Sequence, residues 1–224
     1  MWTLELNRKV CIFIKSLNLM LNNLEKEIEK LESKEKQLIE VAKKLNSGKF
    51  YPLDLLSNAV INRSLKLIFG FTTLLKDDNF IAASHLVRCH LDNIIRFSAS
   101  WLVDNPHDFA TNVIDGIKID SLKDKKGKLM KDWYLRDLLN EEYPWITNVY
   151  KQSSGYIHFS TKHIYCSINS VDSEKRTMQF SFSRKDNEIN ENLKIEALKC
   201  MGEITDILLE YLNGWYFTKE NPYK

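Results

Sequence analysis

Glycine and proline are scarce, with 7 and 4 in 224 residues. Tight turns and unusual backbone conformations must then be few, which favours long helices. Cysteine is too thinly spread to staple anything. Cys11, Cys89, Cys166 and Cys200 stand far apart without a Cys-x-x-Cys, which excludes a disulfide framework or a zinc ribbon. A chain of 26.3 kDa needs neither to bury a core. No apolar run approaches the roughly 18 residues that span a bilayer, so no membrane association is expected. The balance of 32 basic against 30 acidic residues leaves a formal charge of +2, and no global field marks a polyanion binder. Strict motifs are missing too: no P-loop, no Gly-x-Gly-x-x-Gly, no Gly-x-Ser-x-Gly, no His-Glu-x-x-His and no calcium loop. That argues against P-loop, Rossmann and metalloprotease chemistry.

Arg8 and Lys9 precede Val10-Cys11-Ile12-Phe13-Ile14 in the order of a signal peptide. Lys15 interrupts the run, no small-residue cleavage site follows, and the periodicity continues into a charged segment. The expectation is a cytoplasmic protein without a leader.

What is present is helical periodicity. Ile14, Leu21, Ile28, Glu35 and Ala42 fall at heptad position a, and Val10, Leu17, Leu24, Leu31, Leu38 and Leu45 at d. This predicts one very long coiled-coil-like helix over 1–47. A parallel homodimer would set Glu27 against Glu32 and Glu35 against its own copy, so the helix should pack antiparallel to others of its own chain. Ser47-Gly48 ends it, and Pro52 with Asp54 opens a largely apolar helix to about Leu75. Asp77-Asp78-Asn79 breaks the chain and caps a third helix from Phe80 to about Val103, before Asn105-Pro106. Shorter helices follow at Asp108–Ile114, at Trp133–Leu139, and from Pro144 through Phe159. At Ile164, Cys166, Ile168 and again at Met178, Phe180, Phe182 the period becomes two, predicting a β-hairpin over 164–183 that must lie against helices. Ala197, Met201, Ile204, Leu208, Tyr211 and Trp215 mark a final helix over about 190–217, a packing mate for the first. The predicted fold is a mainly α, antiparallel helical bundle with one hairpin, in a single domain whose helical core is 54–163.

Chemistry-bearing residues gather on two stripes. His85, Arg88, Asp92 and Arg96 share one face of the third helix, where Arg88 and Asp92 are spaced as an i,i+4 ion pair. His85 and Cys89 have the spacing of helical metal ligands, but no third or fourth ligand accompanies them, so neither metal nor cofactor is expected. Further on, Tyr150, Ser154 and His158 share a helical face with Lys151 beside it, and His163 follows. Such a face suits a general base with phosphate donors, or a structural histidine between packed helices. Between the stripes, 118–131 carries six lysines against Asp120 and Asp124. The loop lacks interleaved aromatics, so it reads as a solvated charge run, with RNA attraction as the alternative.

An Arg-bearing polar stripe followed by Tyr-x-x-x-Ser-x-x-x-His resembles helical bacterial proteins related to the HEPN superfamily, including those near abortive-infection systems. That resemblance, over about 54–163, implies a helical bundle that often dimerises, and in many members a metal-independent ribonuclease with an Arg-x(4–6)-His signature. The nearest pair here is Lys151 with His158, and lysine lacks the bidentate guanidinium fork. Two readings result. One is a non-catalytic interaction or assembly protein, a component of a bacterial defence or toxin–antitoxin pair, with a protein partner or a second copy. The other is a HEPN-like ribonuclease in which His158 is the base, Arg88 and Lys151 hold phosphate and Asp92 supports Arg88; His85, Arg96, Tyr150, Ser154 and His163 would line the binding site.

Overall fold

The computed structural model describes residues 2–158, 160–186 and 189–221, with side chains from Asn23 onward except those of Lys162 and Cys166. The heptad side chains from Val10 to Leu21, Cys11, and Phe159 therefore lie outside the described part. The chain is mainly helical: α1 (Trp2–Leu45), α2 (Pro52–Lys76), α3 (Phe80–Phe97), α4 (Pro106–Ile114), α5 (Asp132–Glu142), α6 (Ile146–Ile157), α7 (Thr161–Cys166) and α8 (Glu191–Glu220), with a two-stranded antiparallel sheet of β1 (Ile168–Asp172) and β2 (Thr177–Phe180). No helix among the described residues is long and apolar enough to cross a membrane.

Local chemistry sets the helix ends. Pro52 occupies the first turn of α2, and Asp54 reaches back to accept from the Tyr51 amide at 2.8 Å. Asn79 caps α3 by accepting from Ala82 N at 3.2 Å, and Asn105 caps α4 ahead of Pro106. The third helix is shorter than expected: it tightens into a 3-10 turn at Ser98–Trp101 rather than continuing to Val103. There Ser98 and Ser100 donate to carbonyls three residues back, the local competition that weakens α-helix.

Seam positions Ile28, Leu31, Leu38 and Leu45 are buried against the chain's own helices. Glu35 interrupts them, and burial, followed by repulsion from Glu32, raises its pKa. α2 returns antiparallel to α1, since Glu32 pairs with Lys76 at 2.7 Å while Asn46 bonds Asn58 near the opposite end. The expectation of a wholly antiparallel bundle is corrected by α8. Lys34 pairs with Asp206, and Lys219 Nζ reaches the Leu45 carbonyl, so both numbers rise together and α8 runs parallel to α1. Lys194 with Asp78, and His90 with Thr205, show the same direction against α3. Parallel neighbours need a long connection, and residues 98–190 supply it. The returning chain is pinned where α3 begins, by Asp186 N to Asp78 O at 2.7 Å and Ile81 N to Asp186 Oδ2 at 3.0 Å.

The hairpin is smaller than predicted and differently placed. Ile164 and Cys166 belong to α7, not to a strand. Alternating polarity over so few residues fits one helical turn as well as a strand, and His163 Nδ1 accepts from Ser160 N at 3.2 Å to close that turn. The strands are mostly exposed instead of lying against helices. Val171 pairs with Met178 and Ile168 with Phe180, with a bulge between Ile168 and Ser170.

Candidate functional site

α3 and α6 pack together, which brings the two polar stripes into register at one point. Arg88 is buried, its side chain 8% exposed, and it is ion-paired with Asp92. Its guanidinium lies 3.7 Å from the centre of the Tyr150 ring, and Arg136 lies 5.2 Å from the same ring. Arg88 Nε is enclosed without a hydrogen bond among the described residues, so the Asp92 charge and the aromatic face help offset the cation's desolvation. Arg88 is thus held beneath Tyr150 rather than presented to solvent.

The remaining predicted residues diverge from that point. His85 Nδ1 bonds the Ile81 carbonyl at 2.7 Å within its own helix. Arg96 pairs with Asp132 at 2.8 Å on a part-exposed surface. Ser154 Oγ donates to the Tyr150 carbonyl at 2.7 Å. Lys151 and His158 are exposed. The expectation of Tyr150, Ser154 and His158 on one continuous helical face needs correction, because α6 ends at Ile157 and His158 is its extended C-cap, φ −96° and ψ 140°. His163 belongs to α7 and packs 6.4 Å, ring to ring, from Tyr156. Among the described residues no group of three His, Cys, Asp or Glu side chains gathers to hold a metal.

Sequence reasoning missed a buried histidine. His90 is fully buried, its Nε2 lies 2.9 Å from Thr205 Oγ1, and that hydroxyl donates to Met201 O at 2.7 Å. Thr205 must then accept from His90, so Nε2 carries the proton and Nδ1, which has no partner, is a bare acceptor. Burial, with Arg63 adding to it, drives the pKa down to about 3; this imidazole stays neutral. Its signal was its place on the stripe of Val87, Leu91 and Ile94. A second miss was Asp54. It is fully buried and accepts from Trp215 Nε1 at 2.7 Å and from Lys219 Nζ at 2.9 Å, partners far along the chain.

Four other features bear on function. Phe182 is 95% exposed and Tyr165 73%, beside exposed Val171, Met178 and Phe180. A polar cleft of about 520 Å³ separates the α7–hairpin segment from the start of α3. Beneath α6, Cys200 lines a groove of about 190 Å³ with Phe80 and Tyr156, and burial pushes its thiol pKa up, away from nucleophilic reactivity. The lysine segment is not a bare charge run, because Lys128 Nζ sits 3.8 Å from the Tyr134 ring centre and 5.2 Å from that of Trp133. No family model, no curated protein and no solved structure matches this chain.

Proposed function

We propose that this chain is a helical interaction or assembly protein without catalytic activity, which docks a protein partner through its projecting hairpin. One observation carries the reading: Val171, Met178, Phe180 and Phe182 are exposed together on a hairpin whose helices do not cover it. An exposed apolar cluster of this kind is the usual mark of a protein contact, and a two-stranded hairpin is marginal until something packs on it. The heptad seam of residues 10–21 offers a second contact surface by its sequence alone. On the resemblance to HEPN-related bacterial proteins, the partner is the other half of a defence or toxin–antitoxin pair.

The test is a photocrosslinking residue placed at 182, with the exposed Lys66 of α2 as the control position. A single discrete adduct formed from 182 and absent from 66 supports the reading. No adduct, together with RNA cleavage by the isolated monomer, overturns it.

A second reading has one observation in its favour. The Tyr150 ring covers Arg88, so the two stripes of the ribonuclease reading do meet, although His158 and Lys151 stand in solvent. Expression of wild type and His158→Ala, followed by sizing of total RNA, separates the readings. Fragmentation by wild type alone establishes the ribonuclease; intact RNA with both chains removes it.

A further inference from the structure

The segment between α4 and α5 is a built turn. Lys123 and Leu129 form an antiparallel bridge, Asp124 N donates to Lys128 O at 2.9 Å, and Met130 N donates to Leu122 O at 2.9 Å. Gly127, at φ +80°, takes the left-handed conformation the turn requires. Lys125 N donates to the Leu102 carbonyl at 2.9 Å and Met130 is fully buried, which ties the turn to the bundle.

The turn sorts its charges. Asp124 faces inward, 8% exposed, accepting from the amides of Lys126 and Lys128 and from the Tyr134 hydroxyl at 2.6 Å. Its negative charge is met first by the Tyr134 hydroxyl and these backbone dipoles, with a smaller attraction from Lys126. Asp120 stands 3.7 Å from Lys131, while Lys123 shares a small cleft with Asp104 and Asp108. Lys125 and Lys126 are exposed, and neither makes an ion pair among the described residues. Next to Lys128 stands Trp133, 54% exposed at the first turn of α5. The turn thus sets a half-exposed indole beside Lys128, whose ammonium also lies over the Tyr134 ring, in the same segment as the exposed Lys125 and Lys126.

We propose that this turn binds single-stranded nucleic acid, with Lys125, Lys126 and Lys128 on the phosphates and Trp133 stacking on one unpaired base. Cations alone would fit any polyanion; the exposed indole selects a chain with free aromatic faces. A duplex keeps its bases stacked on each other and offers Trp133 nothing. The inference goes beyond the docking reading and does not depend on it, since the hairpin contributes none of these residues.

The test is fluorescence anisotropy of the full chain with three probes: a labelled mixed-sequence 12-nucleotide single strand, the same sequence as a duplex, and labelled heparin. Wild type should bind the single strand best. Trp133→Ala should weaken it about fivefold or more, the low end for one stacked base, and Trp133→Phe should recover most of the loss. Lys125→Glu with Lys126→Glu should weaken it further and flatten the dependence of log K on log salt by about 1.4, whereas Lys66→Glu should change little. Circular dichroism melts establish that each variant is folded. Equal binding of heparin, duplex and single strand with no effect of Trp133→Ala overturns the proposal, as does the absence of single-strand binding at low salt.

Discussion

The two ends of the bundle are built on opposite plans. Where α2 starts and α8 finishes, Asp54 is fully buried and meets the Tyr51 amide, the Trp215 indole and Lys219, whose side chain is 3% exposed. Tyr51, His107 and Trp215 close over it, with ring centres 5.2–5.8 Å apart. At the other end, where α3 starts, the chain sends out α7 and the hairpin, leaves Phe182 and Tyr165 in solvent, and opens a polar cleft of about 520 Å³. The first end pairs its buried carboxylate and ammonium inside one chain. The second leaves apolar surface unmatched, as stability alone would not.

Breaking the closed end should have the largest effect. Asp54→Ala leaves the Trp215 N–H buried without its acceptor and the Lys219 ammonium, bonded then to the Leu45 carbonyl, buried without its carboxylate, and should cost about 3–5 kcal/mol, read as a lower urea midpoint; a cost near zero would show that end to be open too. His90 comes next. Its folded pKa of about 3 lies below the ordinary imidazole value of 6.5, so as pH falls through that window the unfolded chain takes up a proton that the folded chain refuses. Stability is complete above the upper value and falls by about 1.4 kcal/mol per pH unit below it. His90→Gln, which keeps a donor for Thr205, should flatten urea midpoints measured across that window.

Asn79→Ala removes the cap of α3, on the side of the open end, and should cost about 1 kcal/mol, a fall of roughly 2–4 °C in Tm. Smallest of all, Phe182→Ser should change stability by no more than about 0.5 kcal/mol while weakening partner capture. A large loss of stability there would show that the hairpin belongs to the core.

The sequence made the short-range features legible. Pro52 with Asp54, and Asn79, each mark a helix start through contacts within four residues, and the structure uses both; Asn105-Pro106, read as the stop of the third helix ahead of a helix at Asp108, itself opens α4. Direction was not legible, because a heptad seam such as Leu31, Leu38 and Leu45 states which face is buried but not which way its neighbour runs. The parallel course of α8 depends on the long path of residues 98–190, which no local pattern encodes. The turn of α7 was misread because Ile164 and Cys166 satisfy two periodicities at once. For the candidate site, the α3 stripe correctly marked Arg88 and Asp92 as a pair. That Tyr150 would cover Arg88 required knowing how α6 crosses α3. His90 escaped notice because a histidine amid Val87, Leu91 and Ile94 carries no motif. In the lysine segment the aromatics, Trp133 and Tyr134, follow the lysines in sequence and are brought beside Lys128 only by the turn.

The parallel pairing of α1 with α8 has a consequence for birth on the ribosome. Lys34 and Asp206 are 172 residues apart, and Leu45 and Lys219 are 174, so α1 is covered by a helix synthesised long after it. At roughly 5–20 residues per second, Leu31, Leu38 and Leu45 wait on the order of ten to thirty seconds for α8. During that interval α2 can shield part of the seam, and the nascent chain presents an apolar seam to chaperones until α8 emerges.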